Sequence, residues 1–216
     1  MSLASIIYSF LLLIIFGIGV GRYKNLNVAF KILTISVLST FILNAIAQYC
    51  AVKYHNNAPI LHLECLSEYV FYSATFYFIF KNPVVKKLIL ASIIIVLICW
   101  LINAIVLQPI STVFPSNMYV PTQILYVIFS LLLFKEMLQY PVKVNITKQS
   151  VFWFNTAILF YSTTMFFNLG VTNYIAQHNI YDYIILYFWY FILYTFHILI
   201  GIAILNENRE TVKTDA

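Results

Sequence analysis

Apolar residues in this 216-residue chain come in seven continuous stretches separated by short polar breaks. They lie near 3–20, 28–50, 60–80, 88–107, 119–138, 151–171 and 183–205. Each is close to the ~20 residues that an α-helix needs to cross a hydrocarbon layer about 30 Å thick. The runs are continuous rather than alternating, which argues against the strands of a closed barrel. Lipid offers the backbone no hydrogen-bond partner, so a spanning segment has to satisfy its own amides as a helix. Pro59, Pro83, Pro109, Pro115 and Pro141 fall in the breaks. Pro121 is expected in the first turn of the fifth span, where a proline is tolerated. The pattern predicts an all-α fold: an integral membrane bundle of seven transmembrane helices over residues 1–205, with 206–216 as a short tail.

Composition agrees with a lipid-facing protein. Hydrophobic residues make up 62% of the chain and charged residues only 9%, against ~25% charged in soluble domains. The 19 Phe and 17 Tyr suit lipid-facing walls and the two interfaces. A net charge of +5 would suggest nucleic acid in a soluble protein, but here the basic residues sit between apolar runs and no basic stripe exists, so no nucleic-acid partner is expected. Their distribution instead sets the topology. Arg22, Lys24 and Lys31 follow the first run; Lys81, Lys86 and Lys87 lie in the third connector; Lys135, Lys143 and Lys148 flank the fifth; Arg209 and Lys213 lie in the tail. With seven spans all of these share one side and only Lys53 falls opposite. The positive-inside rule then places the N-terminus outside and the C-terminus in the cytoplasm. The first run has no basic residue before it and no A-x-A-like site after it, which suits an N-out first helix better than a cleavable signal peptide.

With direction assigned, polar residues inside the spans acquire a depth. An ionisable side chain at midplane costs about 2.5–3.5 kcal/mol on insertion scales, so each one needs a reason. Span three begins L-H-L-E-C-L-S-E-Y, which puts Glu64 and Glu68 one turn apart on a single face, continued by Tyr72. Glu68 lies on the order of 12 Å along the helix from Ile60. It reads as a membrane-embedded acid suited to a cation, an amine or a proton; pairing with Lys53 or His62 near the interface would be the structural alternative. At the same outer level stand Asn44 and Gln48 on span two, Asn103 on span four, Gln123 and Tyr126 on span five, Asn168 on span six, and Tyr187 and Tyr190 on span seven. Polar groups converging from several helices can form an outward-open ligand pocket, although amides also join helices in membranes. In the inner half, His197 reads as a helix–helix hydrogen bond, and Trp153 with Asn155 as the interfacial opening of span six. Cys50 and Cys65 lie near outer ends of adjacent spans and could form a disulfide outside the cell.

Several chemistries find no support. Retinal binding would need a mid-span lysine in the last helix, and none is present. No H-E-x-x-H, G-x-S-x-G or phosphate-binding Gly-rich loop occurs. His62 and His197 stand at different depths, so no histidine metal site, and no cofactor, is expected. No catalytic constellation can be assembled.

The segments L-H-L-E-C-L-S-E-Y-V-F-Y (61–72) and F-W-F-N-T-A-I-L-F-Y-S (152–162) resemble an uncharacterised family of seven-span proteins of Bacteroidota. That family carries an acid followed by an aromatic in span three, matched by Glu68 and Tyr69. It has F-W opening span six, matched by Phe152 and Trp153, with a tyrosine after it, matched by Tyr161. Glu64 departs from the pattern, standing where a tyrosine is expected. The resemblance implies a fold and a bacterial inner-membrane location, with the outer pocket facing the periplasm, but no activity.

Function is therefore an expectation from the polar layer. The favoured reading is a sensory or receptor-like module with an outward pocket around Glu64 and Glu68. A tail of this length could hold no effector domain, so its output would pass through a separate cytoplasmic or membrane partner. The alternatives are a small-solute or proton-coupled transporter and a scaffold subunit of a membrane complex.

Overall fold

A computed structural model describes residues 3–141, 145–177 and 183–207, with the side chains of 171–186 left aside. Among the described residues there are seven long α-helices and no strand: α1 Leu3–Gly21, α2 Val28–Tyr54, α3 Ala58–Ile79, α4 Pro83–Ile102, α5 Ser116–Gln139, α6 Ser150–Gln177 and α7 Tyr183–Asn206. Lys143, Arg209 and Lys213 lie outside the described residues.

The helix ends follow local chemistry. Asn27 caps α2 by accepting from the Phe30 amide at 3.1 Å, and Asn82 caps α4 by accepting from the Val84 amide at 2.9 Å. His55 ends α2 at φ 52°, the left-handed conformation that turns a chain out of a helix. Pro83 is a helical residue at the start of α4 rather than part of the break. Lys86 and Lys87 therefore lie in the first turns of that helix, not in a connector. Pro121 is also displaced from its expected place: α5 begins at Ser116, so the proline sits in the second turn. Its missing amide costs the helical bond to Asn117, which is exposed like the proline itself, and Thr122 donates to the next carbonyls, those of Met118 (3.0 Å) and Tyr119 (2.8 Å). The fourth apolar run is α-helical only to Ile102, and Asn103–Leu107 continue as a π-turn.

Among the described residues, five helices are long and apolar enough to cross a membrane: α1, α2, α4 with its π-turn, α5 and Tyr187–Asn206 of α7. The chain is thus an all-helical protein built for a bilayer. Neighbours in sequence pack as neighbours in space, and α1 also packs on α7, closing a ring. Within this ring α1 and α7 run parallel. Ala4 meets Tyr194, Tyr8 meets His197, Ile15 lies against Gly201, and Arg22 meets Glu207. Helix α4 lies outermost, burying only Ile89 and Val96. Helix α3 packs mainly on α2 and α4, meets α5 locally and reaches α6 and α7 through side chains, while its Leu63 and Phe78 face outward. The acids, the histidine and the tyrosines of α3 keep it below the apolarity of those five helices. His62, Glu68, Tyr69 and Tyr72 stand on its buried face, where protein rather than lipid selects the residue.

Close helix approach depends on small residues here, as is usual in membranes. A Cβ added to Gly19 would lie 2.6 Å from Thr34 Oγ1 and 3.1 Å from Thr34 Cβ. The Thr34 hydroxyl is itself tied to the Phe30 carbonyl at 2.8 Å, so the side chain cannot swing away freely. Gly19→Ala should therefore destabilise the bundle by about 1–3 kcal/mol, the usual range for overpacking. Combining it with Thr34→Ala should restore most of the loss in a denaturation titration. Additive losses in the double variant would contradict this contact.

Candidate functional site

The enclosed face of α3 repeats every three or four residues: Ala58, His62, Cys65, Tyr69, Tyr72 and Phe76 are all buried, and Glu68 joins them. This is the period of a helix presenting one stripe to its partners. In α3 the stripe is aromatic and acidic instead of aliphatic.

Glu68 is 7% exposed, and its Oε2 accepts a hydrogen bond from the Tyr161 hydroxyl of α6 at 3.3 Å. Glu64, one turn away, is half-buried. Tyr8, Tyr72, Tyr119 and Tyr126 are buried in the same region of the bundle as Glu68 and Tyr161. These tyrosines come from α1, α3, α5 and α6, so four helices meet at the acid pair. The Tyr126 ring lies 5.6 Å from that of Tyr69 and 6.0 Å from that of Tyr72, and its buried hydroxyl has no hydrogen-bond partner in the protein. Gln123, one turn before Tyr126, is buried with its Oε1 equally without a donor.

The groups that might have neutralised the acids are engaged elsewhere. Lys53 is exposed, bonds the Tyr49 hydroxyl at 2.8 Å and lies over the Tyr49 and Tyr54 rings. His62 is buried and bonds the Val113 carbonyl at 2.9 Å through Nε2. The carboxyl groups thus share a tyrosine-lined interior to which the described residues supply hydroxyls but not a cation.

Toward the basic end the site is closed. Below Tyr72 the Phe76 ring packs against Phe80 at 6.1 Å, Phe129 at 5.9 Å and Phe154 at 5.0 Å. Phe196 of α7 stacks on Tyr161 at 4.5 Å and meets Tyr72 at 5.6 Å. At the opposite end the α4–α5 connector folds over His62. Trp100 Nε1 donates to the His62 carbonyl at 2.9 Å, and Phe114 stacks on Tyr119 at 5.3 Å.

The residues expected to form the pocket separate into two groups. Glu64, Glu68, Tyr72 and Tyr126 come together, and Gln123 lies one turn along α5. Gln48 is half-buried on α2 with a buried, unpartnered Oε1. Asn168 is buried in α6. Asn44 instead ties α2 to α1, its Nδ2 lying 3.5 Å from Ser9 Oγ. Asn103 belongs to the π-turn: its Nδ2 donates to Gln108 Oε1 at 3.2 Å, while Gln108 Nε2 donates to Ser116 Oγ and Asn117 N donates back to Gln108 Oε1. Its amide nitrogen holds the connector in shape, while its buried Oδ1 has no donor. Tyr187 is 67% exposed and points out of the bundle, because the face of α7 that packs inward runs through Ile192, Phe196 and Ile200. Cys50, Cys65 and Cys99 are free thiols, so the disulfide considered for Cys50 and Cys65 is not formed. Cys65 faces the packed interior while Cys50 is only half-buried on α2. His197 bonds Tyr8 at 3.3 Å and the Leu193 carbonyl at 3.0 Å, joining α1 to α7. Asn155 joins α6 to α5 through the Ser130 carbonyl at 3.0 Å.

Sequence reading missed Tyr8, Tyr119 and Tyr161 as members of the site. Their signal was weak but present: Tyr8 and Tyr161 fall well inside apolar runs, away from the ends where tyrosine is commonest.

A second polar cluster lies at the basic end. Glu207, 4% exposed, accepts from Asn27 Nδ2 at 2.7 Å and from the Ser150 hydroxyl, and its carbonyl accepts from Arg22 at 2.8 Å. One carboxylate thus ties the α1–α2 turn, the start of α6 and the end of α7. Burial raises the Glu207 carboxyl above the ordinary carboxylate value, offset in part by Ser150, Asn27 and the Arg22 charge. A raised folded value means that the folded state holds the proton more readily. Through this group, stability rises as pH falls from neutral and levels off below the unfolded value. Glu207→Gln should keep the hydrogen bonds, change stability by less than ~1 kcal/mol and remove that slope. Glu207→Ala should cost about 1–3 kcal/mol by leaving buried donors without an acceptor. Unfolding titrations between pH 7 and 5 check both, and equal slopes in the wild type and the glutamine variant would refute the assignment.

Comparison with protein-family models, with curated proteins and with solved structures gives no match for this chain.

Proposed function

We propose that the protein is a receptor-like module of a bacterial inner membrane that binds a small organic cation of amine type at Glu64 and Glu68. It spans the membrane seven times with the N-terminus outside, and its source is a member of the Bacteroidota. The parallel packing of α1 and α7 supports an odd number of crossings, and the clustering of basic residues at one end supports the orientation. The observation that carries the reading is the pair of carboxyl groups among buried tyrosines with no basic side chain among the described residues engaged with them. A buried charge without a partner is costly, and a cation bound between carboxylates and aromatic faces supplies that partner. The Phe76–Phe129–Phe154 floor favours one-sided binding over transport, which requires a path to the other face. A scaffold would gain nothing from keeping two acids inside the bundle. A change at Tyr161 would reach Phe196 and hence α7, whose end is held by Glu207.

The test is thermal unfolding of the purified protein in nanodiscs, titrated with tetramethylammonium, n-hexylamine and, as an uncharged control, n-hexanol. Either cation should raise the melting temperature in a saturable, Glu68-dependent way, while hexanol should not. Failure of both cations to act, or an identical response in Glu68→Gln, would remove the proposal.

A further inference from the structure

A crevice of about 250 Å³ opens on the outer surface between α5 and α6. Its walls are almost wholly apolar: Ile124, Val127 and Ile128 from α5, and Phe166 and Phe167 from α6. In a membrane-embedded helix pair such a surface faces hydrocarbon. Two features set this crevice apart from an ordinary lipid-facing seam. Gln123 lines it, is 1% exposed, and carries a buried Oε1 that no donor of the protein reaches. The hydroxyls of Ser162 and Thr163, which also line it, are committed to their own helix, donating to the carbonyls of Ile158 and Leu159 at 2.8 and 2.7 Å. The second feature is what lies behind the wall. The residue before Ser162 is Tyr161, which bonds Glu68. One turn beyond Gln123 is Tyr126, whose ring lies 6.0 Å from that of Tyr72, one turn from Glu68, and whose hydroxyl also lacks a partner. An apolar cleft, an unanswered acceptor and an acid pair therefore follow one another from the membrane inward.

We propose that the bound cation is the head of a membrane-partitioning amphiphile, a long-chain amine, whose hydrocarbon chain lies in the α5–α6 crevice and whose ammonium reaches Glu68 past Gln123. This rests on the cation-binding reading above and adds the class and the route of the ligand. An ammonium carries three donors. Glu68 takes the charge, and Gln123 Oε1 and the Tyr126 oxygen are the remaining acceptors along the way. The chain never needs to leave hydrocarbon, so the connector folded over His62 does not have to open for entry.

The experiment uses the full chain in nanodiscs with a photoreactive dodecylamine, and with photoreactive dodecanol as the uncharged probe. In the wild type the amine should label α5 and α6 around the crevice and be displaced by excess unlabelled dodecylamine. Thr163→Phe, which fills the cleft, should lower this specific labelling by about tenfold, a loss of ~1.4 kcal/mol of affinity in equilibrium terms. It should leave intact the thermal response to tetramethylammonium, which has no chain to place in the cleft; that response also shows that the variant is folded. Glu68→Gln should abolish the specific labelling as well as the hexylamine response. Amine labelling spread evenly over α1, α4 and the other lipid-facing helices, or not displaceable, would overturn the crevice while the hexylamine response kept the cation site. Displaceable dodecanol labelling equal to that of the amine, with no response to any amine, would mean a plain lipid groove and overturn both.

Discussion

Glu68→Gln should weaken binding of n-hexylamine by about 100- to 1,000-fold, while the unliganded protein melts at the same temperature or higher. Truncating one partner of a buried charge pair commonly costs about 2–5 kcal/mol, and ~3–4 kcal/mol corresponds to that factor. Glutamine matches the shape of glutamate and keeps an oxygen to accept from Tyr161, whose bond to Glu68 is a long 3.3 Å. What it removes is the capacity to carry a negative charge opposite the ammonium, while the shape that packs among Tyr72, Tyr126 and Tyr161 away from water is kept. Binding should fall and stability should not. Glu64→Gln should have a smaller effect, about tenfold, because Glu64 is only half-buried and its charge is better screened. Calorimetric titration of both variants in nanodiscs measures the two factors. Wild-type affinity in Glu68→Gln, or a larger loss for Glu64→Gln, would place the cation elsewhere.

Phe76→Ala should be the most destabilising single change in the bundle, at about 2–4 kcal/mol. Phe76 is fully buried, and its ring touches three others, from α3, α5 and α6. In a soluble core a phenylalanine truncated to alanine costs about 3–5 kcal/mol, part of it the transfer of apolar surface from water. In a bilayer that transfer contributes little, because lipid is as apolar as the core, and the loss is mostly dispersion and ring contacts across a cavity. The expected cost is accordingly lower, but it remains large because Phe80, Phe129 and Phe154 cannot all collapse into one gap. Phe76→Leu should recover more than half of the loss by refilling the volume. Unfolding in mixed micelles, followed by tryptophan fluorescence from Trp100, Trp153 and Trp189, gives the values. Truncation of lipid-facing Phe78, 48% exposed, supplies the comparison, with an expected change below ~0.5 kcal/mol. If Phe76→Ala were no worse than Phe78→Ala, the floor would not be a packed element.

The prominence of α3 shows where hydropathy stops being informative. A window-averaged reading marks a helix by what lipid requires of its outside. Helices such as α4, with lipid along most of their surface, satisfy it strongly. An enclosed helix answers to its neighbours instead, and its His62, Glu64, Glu68 and Tyr72 lower its apolarity while leaving it helical and central. A stretch that lies outside the five apolar spans holds the site.

Asn103 and Tyr187 illustrate the complementary error. Both stand at the right depth along their helices, and depth follows from counting residues at about 1.5 Å each. Neither faces the acids. Asn103 is drawn into a π-turn by Gln108, and Tyr187 points out of the bundle on α7. Depth is a property of one helix, whereas facing depends on how that helix is rotated against its neighbours.

The chain by itself determined that it is helical and lipid-facing, where its apolar runs begin and end within a few residues, and that two acids share a face of the third run. Those features are written in local order, because backbone hydrogen bonding and solvent preference act residue by residue along a single helix. Only the tertiary structure decided that α3 is enclosed, that Tyr8, Tyr119, Tyr126 and Tyr161 surround Glu68, and that Phe76 closes the floor beneath them. These contacts join residues far apart in sequence, and they are fixed by helix rotation and by close approaches such as that of Gly19 to Thr34. No single segment encodes them, since packing between helices is settled by the shapes of both partners at once.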